Sequence, residues 1–354
     1  MEALVDASYW AGRKVFVTGH TGFKGTWLLA MMRVLGARVA GYSLDPPTNP
    51  SIYDQVLGTG LCEDHRGDIR DLPRMQRAMA AFEPEFVFHL AAQPIVLAAR
   101  EFGIETIDTN VRGTACVLEA ARQVPSIRAI VSVTTDKVYR NVEWCWPYRE
   151  SDVLGGHEPY GASKACAEIV TEAWAHSFLE PCGVRVGTAR AGNVIGGGDW
   201  ANSRLIPDII RSWQAGHSLA IRSPRSIRPW QHVLEPLSGY VAFAAALAER
   251  PTGLSRALNF GPRDDDAQPV ARICELADGA LPGGIKVVVT ESGTSHESRL
   301  LRLDSSLSNS ELGWRPKLDL ERAIKWTVDW YRDVHQGANA RALTIHQVEQ
   351  FQAL

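Results

Sequence analysis

The sequence predicts an α/β protein: a doubly wound parallel sheet followed by a smaller domain built around a ligand. Three observations predict it. Lys14–Thr18, KVFVT, is a short β-branched and aromatic run that leads into Gly19-x-x-Gly22-x-x-Gly25 and then a stretch of helix formers. Strand-like and helix-like segments alternate through the first half, the pattern of a parallel sheet with helical crossovers. From about Gly196 the alternation loosens and Trp, Pro and Arg become frequent. This divides the chain into 1–190 and 191–354, with some later segments returning to the first unit.

The elements follow in order. Lys14–Thr18 is bounded by polar residues and reads as a buried strand. Thr26–Leu35 lacks Pro and Gly and reads as a helix. Ala37–Leu44 is a second strand, and Glu85–Ala92 is a strand running into a loop. Asn110–Gln123 is amphipathic and helical, Ala129–Thr135 is a strand, and Tyr160–Leu179 is helical in composition. One more strand begins at Val184. In the tail, Thr344 and Gln347 stand at capping-box spacing and predict a short terminal helix.

Glycines at a strand-to-helix corner permit a tight turn, a close backbone approach to a ligand and tight helix packing. The helix N-terminus behind them offers free N–H groups to an anion such as a pyrophosphate. A glycine-rich turn without a ligand fits the same residues. Asp45 lies about 20 residues past Gly25, where a ribose-binding acid is expected. A carboxylate there accepts from a ribose and repels a 2′-phosphate, which favours NAD over NADP; a cap before Pro46-Pro47 is the alternative. Arg38, a conceivable partner for that phosphate, falls at the start of its strand. Asp68 in Gly67-Asp68-Ile69 is placed beside the adenine, or is an ordinary turn aspartate.

YGASK, Tyr160–Lys164, sets a phenol and an ammonium four residues apart on one helix face. The ammonium is expected to lower the phenol pKa, so that the tyrosine takes a hydroxyl proton while hydride leaves the same carbon. The pair follows a nucleotide-type glycine loop, an acid at the ribose position and a strand ending in hydroxyl residues.

Composition excludes other classes. The 354 residues carry a formal net charge of −3 and are 45% hydrophobic, which fits a globular protein without a nucleic-acid footprint. No apolar run reaches membrane-span length, and the N-terminus lacks a signal-peptide pattern. The cysteines, Cys62, Cys116, Cys145, Cys166, Cys182 and Cys274, form no CxxC pair, and no cluster has metal-ligand spacing. The expectation is a reduced, cytoplasmic protein without metal, nucleic acid or membrane.

The glycine loop together with Tyr160-x-x-x-Lys164 resembles the extended short-chain dehydrogenase/reductases, the NAD-dependent epimerases and dehydratases. Three longer stretches, Thr134–Asp152, Ala191–Asp208 and Ser226–Tyr240, narrow the resemblance to nucleotide-sugar 4,6-dehydratases, and among them to those taking a cytidine nucleotide. The resemblance runs from Trp10 to the tail. It implies a Rossmann-like NAD-binding domain, a smaller C-terminal substrate domain and a homodimer or homotetramer. It implies a closed redox cycle: oxidation at C4, loss of water across C5–C6, and return of the hydride to C6. Tyr160 is then the base, Lys164 its partner and the holder of the nicotinamide ribose, and Thr135 a contact of the C4 oxygen. Asp136 is the acid for the departing water, and Lys137 stands where many relatives carry a glutamate as C5 base. An ion pair between Lys137 and Asp136 is the bland alternative. The cofactor set is Gly19, His20, Gly22, Phe23, Gly25, Asp45, Asp68, Ile69, Ala91, Ala92 and Asn110, with His20 close to the phosphates. The substrate set is Gln93, Asn193, Arg204, Arg228, His232 and Arg299.

The chain departs from the pattern at Leu97-Ala98-Ala99-Arg100, where relatives place arginine, serine and tyrosine near the sugar. The sugar identity stays open there. A nucleotide-sugar 4-epimerase and a non-catalytic NAD-binding protein are the rival readings; the second kind typically lacks the tyrosine–lysine pair that this chain retains.

Overall fold

The computed structural model describes residues 6–57, 60–221, 223–250, 252–290 and 300–354. A seven-stranded sheet holds β1 (Lys14–Thr18), β2 (Arg38–Ser43), β3 (Glu63–Arg66), β4 (Phe86–His89), β5 (Ala129–Val133) and β6 (Arg185–Ala191), with Ala257–Phe260 as its last strand. The spatial order is Ala257–Phe260, β6, β5, β4, β1, β2, β3, and every neighbouring pair is parallel. The order reverses between β1 and β4. The crevice beyond the carboxyl ends of those two strands is where such sheets bind ligands.

Side-chain alternation divides the core. Val15 and Val17 join one apolar cluster with the helices Phe23–Val34 and Leu234–Glu249, while Phe16 faces the other, with the helices Leu72–Phe82 and Gly113–Ala121. Sheet strands buried on both sides in this way read as continuous apolar runs, which is why KVFVT and AIVSV stand out in the sequence.

The first-half elements fall where the sequence places them, with shifted ends. The helix after the glycine corner starts at Phe23, with Gly22 as its N-cap. The catalytic-motif helix spans Pro159–Trp174, and Glu158 caps it by accepting from Tyr160 N and Gly161 N. Residues Ala175–Leu179 continue as a π-helical turn. A second π-helical turn, Asp108–Arg112, precedes Gly113–Ala121. Arg38 opens β2 opposite Lys14.

The capping-box reading of the tail is corrected. The terminal helix spans Ala340–Ala353, and Asn339 caps it by accepting from Ala342 N at 2.9 Å. Thr344 is inside the helix, buried, donating to Ala340 O and accepting from the Trp330 indole. Its spacing to Gln347 satisfied a local pattern, but burial against Trp330 decided its place.

Candidate active site

The glycine corner is built by close backbone contact. Gly19 has φ of +76° and a Cβ there would lie 2.6 Å from Ala91 N; a Cβ at Gly25 would collide with the Gly19 carbonyl. Gly22 is different: the nearest atom to its missing Cβ is Gly19 O at 3.4 Å, and no side chain caps the helix that starts behind it. The corner thus presents helix N–H groups that no side chain caps, a donor set that fits a pyrophosphate. Phe23 leans toward Gly196. Ala91 N is tied to Thr18 Oγ1 at 3.3 Å, which brings the end of β4 against the corner. Asp45 lies just past β2, highly exposed, with Arg66 at 3.5 Å. The residues present fit a dinucleotide.

Four of the predicted catalytic groups converge at the end of β5. Thr135 Oγ1 donates to Asp136 Oδ1 at 2.9 Å, and Thr135 acts on the Tyr160 phenol, pulling its pKa down. Asp136 is 2% exposed, and its Oδ2 has no hydrogen-bond partner among the described residues. Burial raises the Asp136 pKa, against the opposing pull of Lys137, Thr135, Arg228 and Lys24. Lys164 Nζ donates to Val133 O at 2.8 Å, and burial pulls its ammonium down to about 8. Lys137 occupies the short 3₁₀ turn Asp136–Val138, half-buried, with its N–H on Thr135 Oγ1 at 3.4 Å.

One expectation changes. The Tyr160 phenol is not lowered: burial pushes it up to about 12, relieved in part by Thr135 and Arg204. The Lys164 ammonium donates to the Val133 carbonyl, and burial of the phenol decides the direction.

Behind the site is a buried ion pair. Arg190 and Glu168 meet at 2.8 Å, each side chain 4% exposed. Glu168 also accepts from Thr134 and Thr188, and Arg190 reaches Tyr139 OH and the Glu150 carbonyl. Glu168 is one helical turn beyond Lys164. The network therefore pins the helix Pro159–Trp174 to β6 and the end of β5.

The substrate candidates divide. Arg204 stands just before the helix Leu205–Ala215 without capping it, pairs with Asp199 at 3.0 Å and is felt electrostatically by Tyr160. Arg228 is buried and acts on Asp136. Asn193 is half-buried, its carbonyl accepting from Gln231 N at 3.0 Å. His232 does not join them. It is fully buried, edge-on to Trp27 and Trp326, and burial holds its imidazole down at about 3, so it carries no positive charge for a phosphate. Arg299 lies outside the described residues, as does the start of the motif His296–Asp304.

Several cofactor candidates are turned inward. His20 is fully buried between Gly41 and Asp64, its Nε2 2.9 Å from Asp64 Oδ1. Only its backbone belongs to the glycine loop. Asn110 spends its amide on Gln93 N, Gln93 O and Ser163 Oγ. It locks the loop after β4, holding Ala92 and Gln93 in place. The Gln93 amide is taken up by Ile95 and Thr106. Ile69 packs against Gly113, and the Asp68 carboxylate is clamped by Arg70 at 2.6 Å.

The sequence reading missed Lys24 and Tyr240. Lys24 Nζ donates to Tyr240 OH at 3.3 Å, bringing a second lysine–tyrosine pair to the site from the opposite face of the sheet. A lysine inside the glycine fingerprint, where an apolar residue packs easily, was the available signal. Among the described residues no group of three His, Cys, Asp or Glu is arranged to hold a metal, and no helix is long and apolar enough to cross a membrane.

Comparisons with known proteins agree with this geometry. Residues 15–261 match the model of the NAD dependent epimerase/dehydratase family. The chain is 47% identical over 338 residues to CDP-glucose 4,6-dehydratase of Salmonella typhimurium, covering 93% of this chain and 94% of that protein. It is 28% identical over 333 residues to dTDP-glucose 4,6-dehydratase of Xanthomonas campestris, covering 89% and 92%. Among solved structures, the UDP-glucose-4-epimerase from Stenotrophomonas maltophila with bound NAD superposes with a TM-score of 0.80 at 21% identity, covering 92% of this chain and all of that one.

Proposed function

The chain belongs to the NAD dependent epimerase/dehydratase family, and from that premise we infer that it catalyses the 4,6-dehydration of CDP-glucose to CDP-4-keto-6-deoxyglucose. It is a hydro-lyase that uses NAD without net consumption. What carries the reading is a buried carboxyl, Asp136, whose pKa burial raises, beside the Tyr160–Lys164 pair. A sugar 4-epimerase needs the tyrosine, lysine and threonine but has no use for an acid at C6. The whole-length likeness to the Salmonella enzyme supports the same choice and the cytidine nucleotide.

NAD, when bound, supplies reversible hydride storage, from C4 and back to C6. The glycine corner would hold its pyrophosphate at the helix N-terminus, and Asp45 would hold the adenosine ribose and disfavour NADP. Tyr160 accepts the C4 hydroxyl proton while Thr135 steadies that oxygen. Lys164, its Nζ held on the Val133 carbonyl, would orient the nicotinamide ribose. The resulting ketone acidifies C5. Lys137 takes the C5 proton, and Asp136 protonates the C6 hydroxyl so that it leaves as water. Asn193, Arg204 and Arg228 hold the diphosphate, and arginine suits that task because its fork makes paired charge-assisted bonds.

The wider reading has residues 1–190 as the NAD-binding unit and 191–354 as the nucleotide-sugar unit. It has the protein working in the cytoplasm as a homodimer or homotetramer that feeds deoxysugar and O-antigen synthesis. The direct test incubates the protein with CDP-glucose and NAD and follows the sugar by NMR and mass spectrometry. A product lighter by one water, with a C6 methyl group, is expected. A product that keeps its C6 hydroxyl, or a preference for dTDP-glucose in competition, overturns the assignment.

A further inference from the structure

Two successive residues at the end of β5 grip two successive turns of the helix Pro159–Trp174. Val133 O accepts from Lys164 Nζ at 2.8 Å, and Thr134 Oγ1 donates to Glu168 Oε1. Each oxygen of Glu168 accepts twice. Oε1 takes Thr134 Oγ1 and Arg190 Nε, and Oε2 takes Thr188 Oγ1 at 2.6 Å and Arg190 Nη2 at 2.8 Å. The carboxylate is buried with its acceptors filled, one turn from the Lys164 ammonium.

The charged and titratable groups around Lys164 come from four elements. Tyr160 and Glu168 share its helix, His89 ends β4, Lys24 follows the glycine corner, and Arg190 on β6 backs Glu168. Burial holds the His89 imidazole at about 3, so it stays neutral. Lys24 feels Lys164 as a like charge. Glu168 works in favour of the ammonium: burial pulls Lys164 down to about 8, and Glu168 opposes that pull. An ammonium has three N–H donors. One is spent on Val133 O, which on the functional reading above leaves two for the nicotinamide ribose; a neutral amine would leave one. We propose that Glu168 is a positioning residue of the reaction, its negative charge keeping the third proton on Lys164 while its bonds to Thr134, Thr188 and Arg190 hold the helix on β5 and β6. Arg190 belongs to the device, because a neutral residue at 168 would leave its guanidinium uncompensated behind the helix.

The ribose part rests on the functional reading, so the test needs no turnover. The full chain is labelled with carbon-13 at the lysine Cε, and the resonances are followed by NMR across pH. The Lys164 signal is the one missing from Lys164→Met. Its midpoint should lie at about 8 in the wild type. Glu168→Gln keeps the shape, removes the charge and strands Arg190, so the midpoint should fall by about one pH unit. Combining Glu168→Gln with Arg190→Met removes both charges, and the midpoint should recover part of that fall. A purely structural Glu168 would lose stability in urea and leave the midpoint where it was. In a folded Glu168→Gln, an unchanged midpoint, or one that the double variant does not raise, overturns the inference. If Glu168→Gln does not fold, the double variant decides against the wild type: a lower midpoint supports the inference and an unchanged one overturns it. Midpoints that move as expected in a protein that forms no NADH from CDP-glucose and NAD would uphold the charge link and overturn the functional reading instead.

Discussion

The Thr135 hydroxyl donates to one oxygen of Asp136 at 2.9 Å and leaves the other oxygen, beside Gly192, with no partner among the described residues. One lone pair of the acid is thus fixed by the protein, and the other is free for a ligand. Asp136→Asn should still oxidise C4, because Tyr160 and Lys164 are untouched, but water loss should slow by about 10²–10⁴-fold. Rapid-mixing absorbance should show reduced cofactor forming and persisting, with a 4-keto hexose in the quenched sample. Normal decay of that absorbance would remove Asp136 from the elimination.

Tyr160→Phe should bind NAD almost as the wild type does and form no NADH, because the proton acceptor alone is lost. In the wild type, the rate of NADH appearance should rise with pH up to about 8 and level off above it. Burial holds the phenol at about 12, so its basic form grows with pH, while the Lys164 ammonium, at about 8, is lost as pH rises further. A rate independent of pH below that point would show that Tyr160 is not the base.

Lys137→Met tests the C5 base. Exchange of the C5 hydrogen with deuterated solvent should slow about 10²–10⁴-fold, beyond any change in C4 oxidation. Exchange at the wild-type rate would leave Lys137 a structural residue, with Asp136 as the group its charge acts on.

Arg204 and His232 should part company. Arg204→Met should raise KM for the nucleotide sugar, roughly tenfold for one lost charge-assisted contact. His232→Phe should leave KM within about twofold, since a buried neutral ring between two tryptophans offers nothing to a phosphate. A matching rise in both would return His232 to the substrate side.

Glu168→Ala should destabilise the protein by about 3–5 kcal/mol, because it strands the buried Arg190 guanidinium. Urea unfolding measures the loss. An unchanged midpoint would mean that Arg190 finds another partner.

What the sequence made legible was local. The glycine corner, the first-half strands and Tyr160–Lys164 depend on residues within one turn or one strand, and their chemistry follows from spacing. Lys24 escaped because its partner Tyr240 lies 216 residues away. His20, Asn110 and Gln93 stand in motifs expected to touch ligands, yet their side chains bond to Asp64, Ser163 and Thr106 within the protein. Spacing cannot tell a residue that touches a ligand from one that shapes the loop beside it. His232 shows the same limit, since only the packing of Trp27 and Trp326 reveals that its ring is enclosed.

The return of Ala257–Phe260 to the sheet bears on how the chain is made. β6 has a partner on one side only until residue 257 and its successors pair with it. During synthesis every residue from 192 to 256 must leave the ribosome first, while a row of β6 N–H and C=O groups stays unpaired. A nascent chain stalled or cleaved in that interval would expose a ready template for another strand. Ribosome-bound chains ending before residue 257 should therefore depend on chaperones, and those extended past residue 260 should depend on them less.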